Sequence, residues 1–172
     1  MIRSAKINDA KTICDIYNYY VTDTIITFEE SPVCVEEMEA RIAEVTKELP
    51  WLVFEENQRV VGYSYASRWK SRCAYRYSVE STVYVDPYFK NMKIGSFLYS
   101  ELIKILGKKK LHSILAGIAL PNEHSVKFHE KLGFVNVAHL KEVGWKFEKW
   151  IDVGYWQLNL ETAQNKCLQG TP

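Results

Sequence analysis

Three stretches of the chain gather groups able to bind anions, orient amides or move protons. The first runs from Val83 to Ser96, VYVDPYFKNMKIGS. A strand stops there before Pro87, and a short loop leads into a helix predicted to begin near Gly95. Such a junction aims unpaired backbone N–H groups and the positive end of a helix dipole at one spot, which suits a pyrophosphate. The spacing matches neither a Walker loop nor the dinucleotide-binding GxGxxG. An ordinary strand-to-helix connection with solvated lysines would use the same residues. The second stretch is LPNEHSVKFHEKLGF, 120–134. Asn122 can cap a helix while its amide holds an amide-bearing ligand, with Ser125 and His129 following one turn apart. A plain cap and a half-buried histidine would look the same. Metal binding fails on spacing, because His124 and His129 diverge on a helix and His112 and His139 belong to neither pattern.

The third is Glu80, in the middle of YRYSVESTVYV, 75–85. Strand alternation sends Val79, Val83 and Val85 to one face, and Glu80, Thr82 and Tyr84 to the other. A carboxylate among aromatic residues is partly desolvated, which raises its pKa toward the range of a useful base. Pairing with Arg72 or Arg76 at a sheet edge is the alternative.

The elements that must position these groups alternate along the chain. Residues 2–6 read as a short strand. From Asp9 the residues Ala10, Ile13, Cys14, Tyr17, Tyr20 and Val21 recur at helical spacing, with Asn8 or Asp9 as cap. A second amphipathic helix carries Val35, Met38, Ile42 and Val45. Strands follow at 51–56 and 59–69, joined by a turn at Asn57 and Gln58, and the longer strand at 75–85 comes next. Helix 96–106, buried strand 112–120, helix 123–132 and closing strands near 134–143 and 152–160 complete the order. This is a mixed sheet with helices on both faces, an α/β class. Residues 1–160 read as a single domain, and the pattern fades over 161–172, which reads as a loose tail.

The chain's 172 residues, 47% apolar and 25% charged, have a soluble globular composition. Folding at this size buries roughly 70% of the unfolded surface, so no disulfide or metal staple is needed. Lys and Arg total 22 against 21 Asp and Glu, a formal charge of +1. That balance gives no general footprint for nucleic acid and no polybasic segment for a membrane surface. The start, MIRSAKIND, lacks the apolar core of a signal peptide, and the longest apolar run, Ile114 to Leu120, is too short to span a bilayer. Cys14, Cys34, Cys73 and Cys167 form no C-x-x-C pair. Reduced thiols in a cytoplasmic protein are the plain reading.

Taken in order, the three stretches resemble the GCN5-related N-acetyltransferase (GNAT) family, within it the phosphinothricin and methionine sulfoximine acetyltransferase group. The resemblance covers Ile2 to Leu160 and rests on IYNYYV (16–21), TFEE (27–30), YASRWKSR (65–72), AYRYSVESTVYV (74–85), GIALPNEHSVKFHEKLGF (117–134) and DVGYWQL (152–158). It implies a mostly antiparallel central sheet, splayed between the fourth and fifth strands, with acetyl-CoA threading the gap. Val83, Tyr84 and Val85 would meet the pantetheine amides, and the loop Lys90, Asn91, Met92, Lys93, Ile94, Gly95 and Ser96 would cradle the pyrophosphate. Asn122 and Ser125 would complete the cofactor site. The family's loop usually reads Gln/Arg-x-x-Gly-x-Gly. Here Lys90 replaces the leading residue and Lys93 the first glycine, a position where a left-handed backbone is expected.

For chemistry, the resemblance implies direct attack of an amine on the thioester. Glu80 would serve as base, and His129 stands where many members carry a tyrosine acid; a partly protonated imidazole is expected there. The acceptor would be the α-amine of a small amino acid such as phosphinothricin, methionine sulfoximine or methionine sulfone. Arg72, with Arg76 as second choice, would take the α-carboxylate, and Phe28, Tyr75 and Tyr84 would line an apolar slot, unless these rings simply pack the core. No metal is expected, and members usually pair as homodimers. Rival readings are acetylation of another small amine or a peptide terminus, and a CoA-binding sensor without turnover, suggested by Lys93.

Overall fold

In the computed structural model, which describes residues 1–160, the apolar periodicities resolve into strands and helices in the expected order. These are β1 (Ile2–Ser4), α1 (Ala10–Asp23), α2 (Val35–Thr46), β2 (Trp51–Glu56), β3 (Arg59–Arg68), β4 (Ser78–Val85), α3 (Ile94–Lys108), β5 (Ser113–Leu120), α4 (Glu123–Lys131), β6 (Val135–Lys146) and β7 (Lys149–Asn159). Short 3-10 turns occupy Ile7–Asp9, Cys73–Tyr75 and Pro87–Phe89. The tail assigned to 161–172 lies outside the described residues.

Backbone packing divides the described residues into two compact units, one of residues 1–67 and 82–105, the other of 68–81 and 106–160. Strand β4 contributes to both.

In the first unit β1, β2 and β3 pair antiparallel, and β4 follows β3 in the strand order. Asn57 and Gln58 turn β2 into β3 with φ of 48° and 63°. Two such residues in succession match the right-handed twist of a tight hairpin. Helices α1 and α2 cover one face of these strands. Ile13, Tyr17, Tyr20, Val21, Met38 and Ile42 bury themselves with Trp51, Val53, Val60 and Tyr63. Asp9 does not cap α1 with its side chain; its carboxylate accepts the Lys6 N–H and pairs with Arg3 at 2.7 Å.

The opposite face of β3 receives α3, and Gly62 makes the approach possible. A Cβ at Gly62 would lie 3.1 Å from Ile94 Cγ2, 3.1 Å from the Tyr84 carbonyl oxygen and 3.3 Å from Leu98 Cδ1. Position 62 therefore sets how closely the start of α3 approaches the sheet.

In the second unit β4 pairs parallel with β5 over Ser78–Glu80 against Ser113–Leu115. Strands β5 and β7, then β7 and β6, pair antiparallel. The class is the expected mixed α/β, with several boundaries corrected. The strand predicted from residue 75 begins at Ser78, because Cys73–Tyr75 closes into a 3-10 turn with the Tyr75 N–H bonded to the Arg72 carbonyl. The closing strands also run further toward one another than periodicity suggested. They meet in a two-residue turn at Phe147 and Glu148, with φ of 51° and 57°. Neither residue type announces such a turn, which usually draws Asn and Gly.

Gly62→Ala should lower stability by about 1–3 kcal/mol, the usual range for overpacking where a neighbouring backbone atom cannot yield. Thermal denaturation against wild type measures it, and an unchanged melting temperature would show that α3 has room to move.

Candidate active site

In the second unit, Glu80 is the third residue of β4 and pairs in register with Leu115. Its carboxyl is half-buried, and burial pushes its pKa above the usual carboxylate range, with the Lys70 ammonium opposing the shift. No ion pair to Arg72 or Arg76 forms. Arg72 is exposed, and its side chain has no ion pair or hydrogen bond among the described residues. Arg76 donates from Nη1 to the Cys73 carbonyl at 3.1 Å and lies 4.5 Å over the Tyr77 ring. Tyr75 and Arg76 thus belong to the turn before β4, not to the strand, and Tyr75 is exposed.

Sequence reasoning missed the groups that surround Glu80. Gly117 faces it from β5, in register with Tyr155 on β7. A Cβ on Gly117 would stand 3.1 Å from Glu80 Oε1 and 3.2 Å from Tyr155 Cε1. Trp69 meets the Tyr155 ring edge-on at 5.2 Å, and Lys70 Nζ sits 4.8 Å over the Trp69 ring. The available signal was Gly117 itself, since a glycine inside an apolar strand marks a close approach.

On α4, Asn122 caps the helix as expected, its Oδ1 accepting the Ser125 N–H at 3.1 Å. His129 is buried, between the edges of Phe128 and Phe134 at 5.1 and 5.4 Å. Its Nδ1 lies 2.8 Å from the Ser125 carbonyl, a geometry in which Nδ1–H donates. Burial pulls the imidazole pKa below its ordinary value. Burial thus works against the partial protonation expected of this ring, which is tied through Nδ1 to the first turn of its own helix.

In the first unit, β4 alternates as predicted. Val83 and Val85 approach Gly95, where a Cβ would lie 3.9 and 3.6 Å from their Cγ2 atoms. Tyr84 points the other way and packs at 5.2, 4.9 and 5.6 Å from Tyr17, Tyr20 and Tyr63. Burial raises its phenol pKa well above normal. Tyr84 thus serves the core with part of its surface left accessible. The Val85 carbonyl accepts the Tyr20 hydroxyl at 2.5 Å, fixing the end of the strand to α1.

The loop that follows is built rather than slack. Asp86 is buried, accepts the Tyr88 N–H at 3.0 Å and pairs with Arg59 at 2.7 Å. Asn91 and Lys93 then take left-handed conformations, φ 67° and 60°. The Phe97 N–H bonds to the Lys93 carbonyl, so Ile94, Gly95 and Ser96 are the first-turn residues of α3, whose N–H groups have no intrahelical acceptor. Asn91, Met92 and Lys93 are exposed around them, whereas the Lys90 ammonium turns to the Tyr19 ring at 5.5 Å. A start of this kind suits a pyrophosphate, with Lys93 adding charge. Phe28 is 38% exposed, and its neighbours Thr27 and Glu29 bond to the Tyr17 hydroxyl at 2.8 and 3.0 Å. Arg41 holds Glu29 at 2.7 Å.

The first unit thus carries a helix start with free first-turn N–H groups, and the second a half-buried carboxylate without an arginine partner. The sequence profile of the acetyltransferase (GNAT) domain matches residues 2–154. The phosphinothricin N-acetyltransferase of Streptomyces viridochromogenes is 38% identical over 160 residues, 93% of this chain and 87% of that protein. The L-methionine sulfoximine/L-methionine sulfone acetyltransferase of Salmonella typhimurium is 35% identical over 169 residues, covering 96% and 99%. Among solved structures, the GNAT superfamily phosphinothricin acetyltransferase from Sinorhizobium meliloti in complex with AcCoA superposes with TM-score 0.89 at 32% identity, over 92% of this chain and 87% of that one. The chain belongs to the GNAT acetyltransferase family.

The left-handed backbone at Lys93 costs a residue with a Cβ roughly 1–2 kcal/mol, and that strain should be legible in denaturant unfolding. Lys93→Gly should be no less stable than wild type, because relieved strain offsets the freedom gained by the unfolded chain. Lys93→Val should lose about 1–2 kcal/mol or more, since branching at Cβ is worst at positive φ. Equal stability of the three proteins would show that the loop does not hold this conformation.

Proposed function

We propose that this protein is an acetyl-CoA-dependent N-acetyltransferase acting on the α-amine of a small amino acid whose side chain carries a tetrahedral centre, in the manner of phosphinothricin, methionine sulfoximine or methionine sulfone. The observation that carries the reading is Glu80, a half-buried carboxylate without an arginine partner, three residues before the Val83–Val85 segment. The names of the relatives support the substrate class.

Acetyl-CoA, when bound, supplies the acetyl thioester. The backbone of Val83 to Val85 meets the pantetheine amides. Lys90 to Ser96 hold the pyrophosphate through the first-turn N–H groups of α3, and Asn122 and Ser125 add contacts. Glu80 takes one proton from the acceptor's ammonium. The free amine attacks the carbonyl carbon, a backbone N–H near Val83 steadies the oxyanion, and the C–N bond forms as the C–S bond breaks. The second amine proton passes to the departing thiolate. His129, tied through Nδ1 to the Ser125 carbonyl, holds the start of α4 in place, and burial works against its serving as the proton donor. Arg72 grips the α-carboxylate, and Arg76, Phe28, Tyr75 and Tyr84 bound the acceptor.

The test is release of free thiol from acetyl-CoA across a panel of amines. Methionine sulfone and phosphinothricin should be fast, and their carboxamides slower, because the bond to Arg72 is lost. Glu80→Gln should bind acetyl-CoA normally and lower kcat by roughly 10²-fold at neutral pH, with partial recovery at higher pH where free amine forms unaided. Preference for polyamines or peptide termini would replace the substrate assignment. Binding without thiol release from any amine would make the protein a sensor.

We further propose a cytoplasmic location and a homodimer. Among the described residues Cys14, Cys34 and Cys73 form no disulfide, which accords with a reducing compartment. No helix among the described residues is long and apolar enough to cross a membrane. The hairpin of β6 and β7 exposes Val135, Val143, Trp145, Phe147 and Trp150, each about half or more accessible. A concentration of exposed apolar side chains of this kind marks an interface, and a second copy is the partner proposed. Sedimentation should give a dimer for wild type and a monomer for Trp150→Glu. A monomeric wild type at high micromolar concentration would exclude this pairing.

A further inference from the structure

Apart from Lys70, the residues that crowd Glu80 are not charged partners. Two strands away, Tyr155 brings its ring beside the carboxylate, and between them β5 carries a residue with no side chain at all. Gly117 is accessible although its strand neighbours Ala116 and Ile118 are buried. The gap it leaves is narrow: a methyl group there would stand 3.1 Å from Glu80 Oε1 and 3.2 Å from the Tyr155 ring. Tyr155 is itself held in place, edge-on to Trp69 at 5.2 Å, and its hydroxyl has no partner among the described residues. What this corner offers a ligand is therefore a carboxylate oxygen and an aromatic ring, side by side over bare backbone. An anion or a neutral amide gains little from that pair. A primary ammonium gains from both, by charge at the carboxylate and by the negative face of the ring.

We propose that Tyr155 and Gly117 form, with Glu80, the seat that receives the acceptor's ammonium and holds it for deprotonation. The inference rests on the reading of Glu80 as base and names the residues that shape its surroundings. Tyr155 is a positioning residue: its ring fixes where the ammonium sits and keeps water off one side of the carboxylate. Gly117 keeps the space open. Trp69 sets the ring's orientation. The charged and titratable groups bearing on Glu80 are Lys70, from the segment after β3, and Tyr155 from β7, while β5 presents only Leu115 and Gly117.

The test compares Tyr155→Phe, Tyr155→Leu and Gly117→Ala by steady-state kinetics across pH with saturating acetyl-CoA. Tyr155→Phe keeps the ring and should stay within about threefold of wild type in kcat/KM for the amine. Tyr155→Leu should raise the amine KM about tenfold while leaving the acetyl-CoA KM unchanged. It should also move the acid limb of the kcat/KM profile to lower pH, since water reaches Glu80 and its raised pKa relaxes. Gly117→Ala adds one methyl group, so it tests the seat without removing a packed ring. It should lower kcat/KM for the amine by about tenfold or more through misplacement of the carboxylate or the ammonium. The proposal is overturned if Tyr155→Leu, folded by circular dichroism, keeps both the amine KM and the acid limb of wild type. It is equally overturned if Gly117→Ala turns over at the wild-type rate. Failure of the parent reading looks different: Glu80→Gln would then be fully active. Loss of activity in Glu80→Gln with neutral variants at 155 and 117 leaves the base in place and removes only the seat.

Discussion

Desolvation of one carboxylate is the constraint on which the rest of this molecule depends. A glutamate in water has a pKa near 4.3 and is too weak a base to compete for the proton of an ammonium. Glu80 stands inside a strand, in register with Leu115, and burial pushes its pKa above the usual carboxylate range. Arginine partners would restore an ordinary pKa, and the structure keeps both nearby candidates away. The turn Cys73–Tyr75 carries Arg72 out into solvent and commits Arg76 to a carbonyl and to Tyr77.

The same strand supplies a second constraint through its pleat. Alternation puts Glu80 and Tyr84 on one face and Val83 and Val85 on the other. Tyr84 anchors the first face in a cluster of phenols, and the valines face the start of α3. Gly62 lets that helix begin close to β3, and Asp86, gripped by Arg59 and capping Tyr88, shapes the connection between strand and helix. Glu80 and the Val83–Val85 segment thus lie within a single eight-residue strand.

Much of this was legible in the sequence because it rests on period and on turn chemistry. The strand at 51–56, the turn at Asn57 and Gln58 and the cap at Asn122 follow from local rules that a single chain displays, and the left-handed position at Lys93 from the family resemblance. The losses have local causes too. Residues 75–77 have the aromatic character of a strand, yet Tyr75 closes the 3-10 turn Cys73–Tyr75 and the strand begins at Ser78. His129 reads as a titrating group by type, whereas its pKa is decided by the rings of Phe128 and Phe134 and by a carbonyl one turn back. Tyr155 lies 75 positions from Glu80 along the chain, and only the register of β5 with β7 brings the two together. Pairing register is a property of the folded sheet, and no periodicity announces it.

The account stands or falls on the ionisation of Glu80 in the folded protein. Its carboxyl can be followed directly by carbon NMR of protein labelled at the glutamate side chains, with Glu80→Gln used to assign the resonance. A titration midpoint well above the usual carboxylate range, in the absence of substrate, is the result predicted. A midpoint at or below that range would mean that Glu80 is solvated or paired, and that the base resides elsewhere.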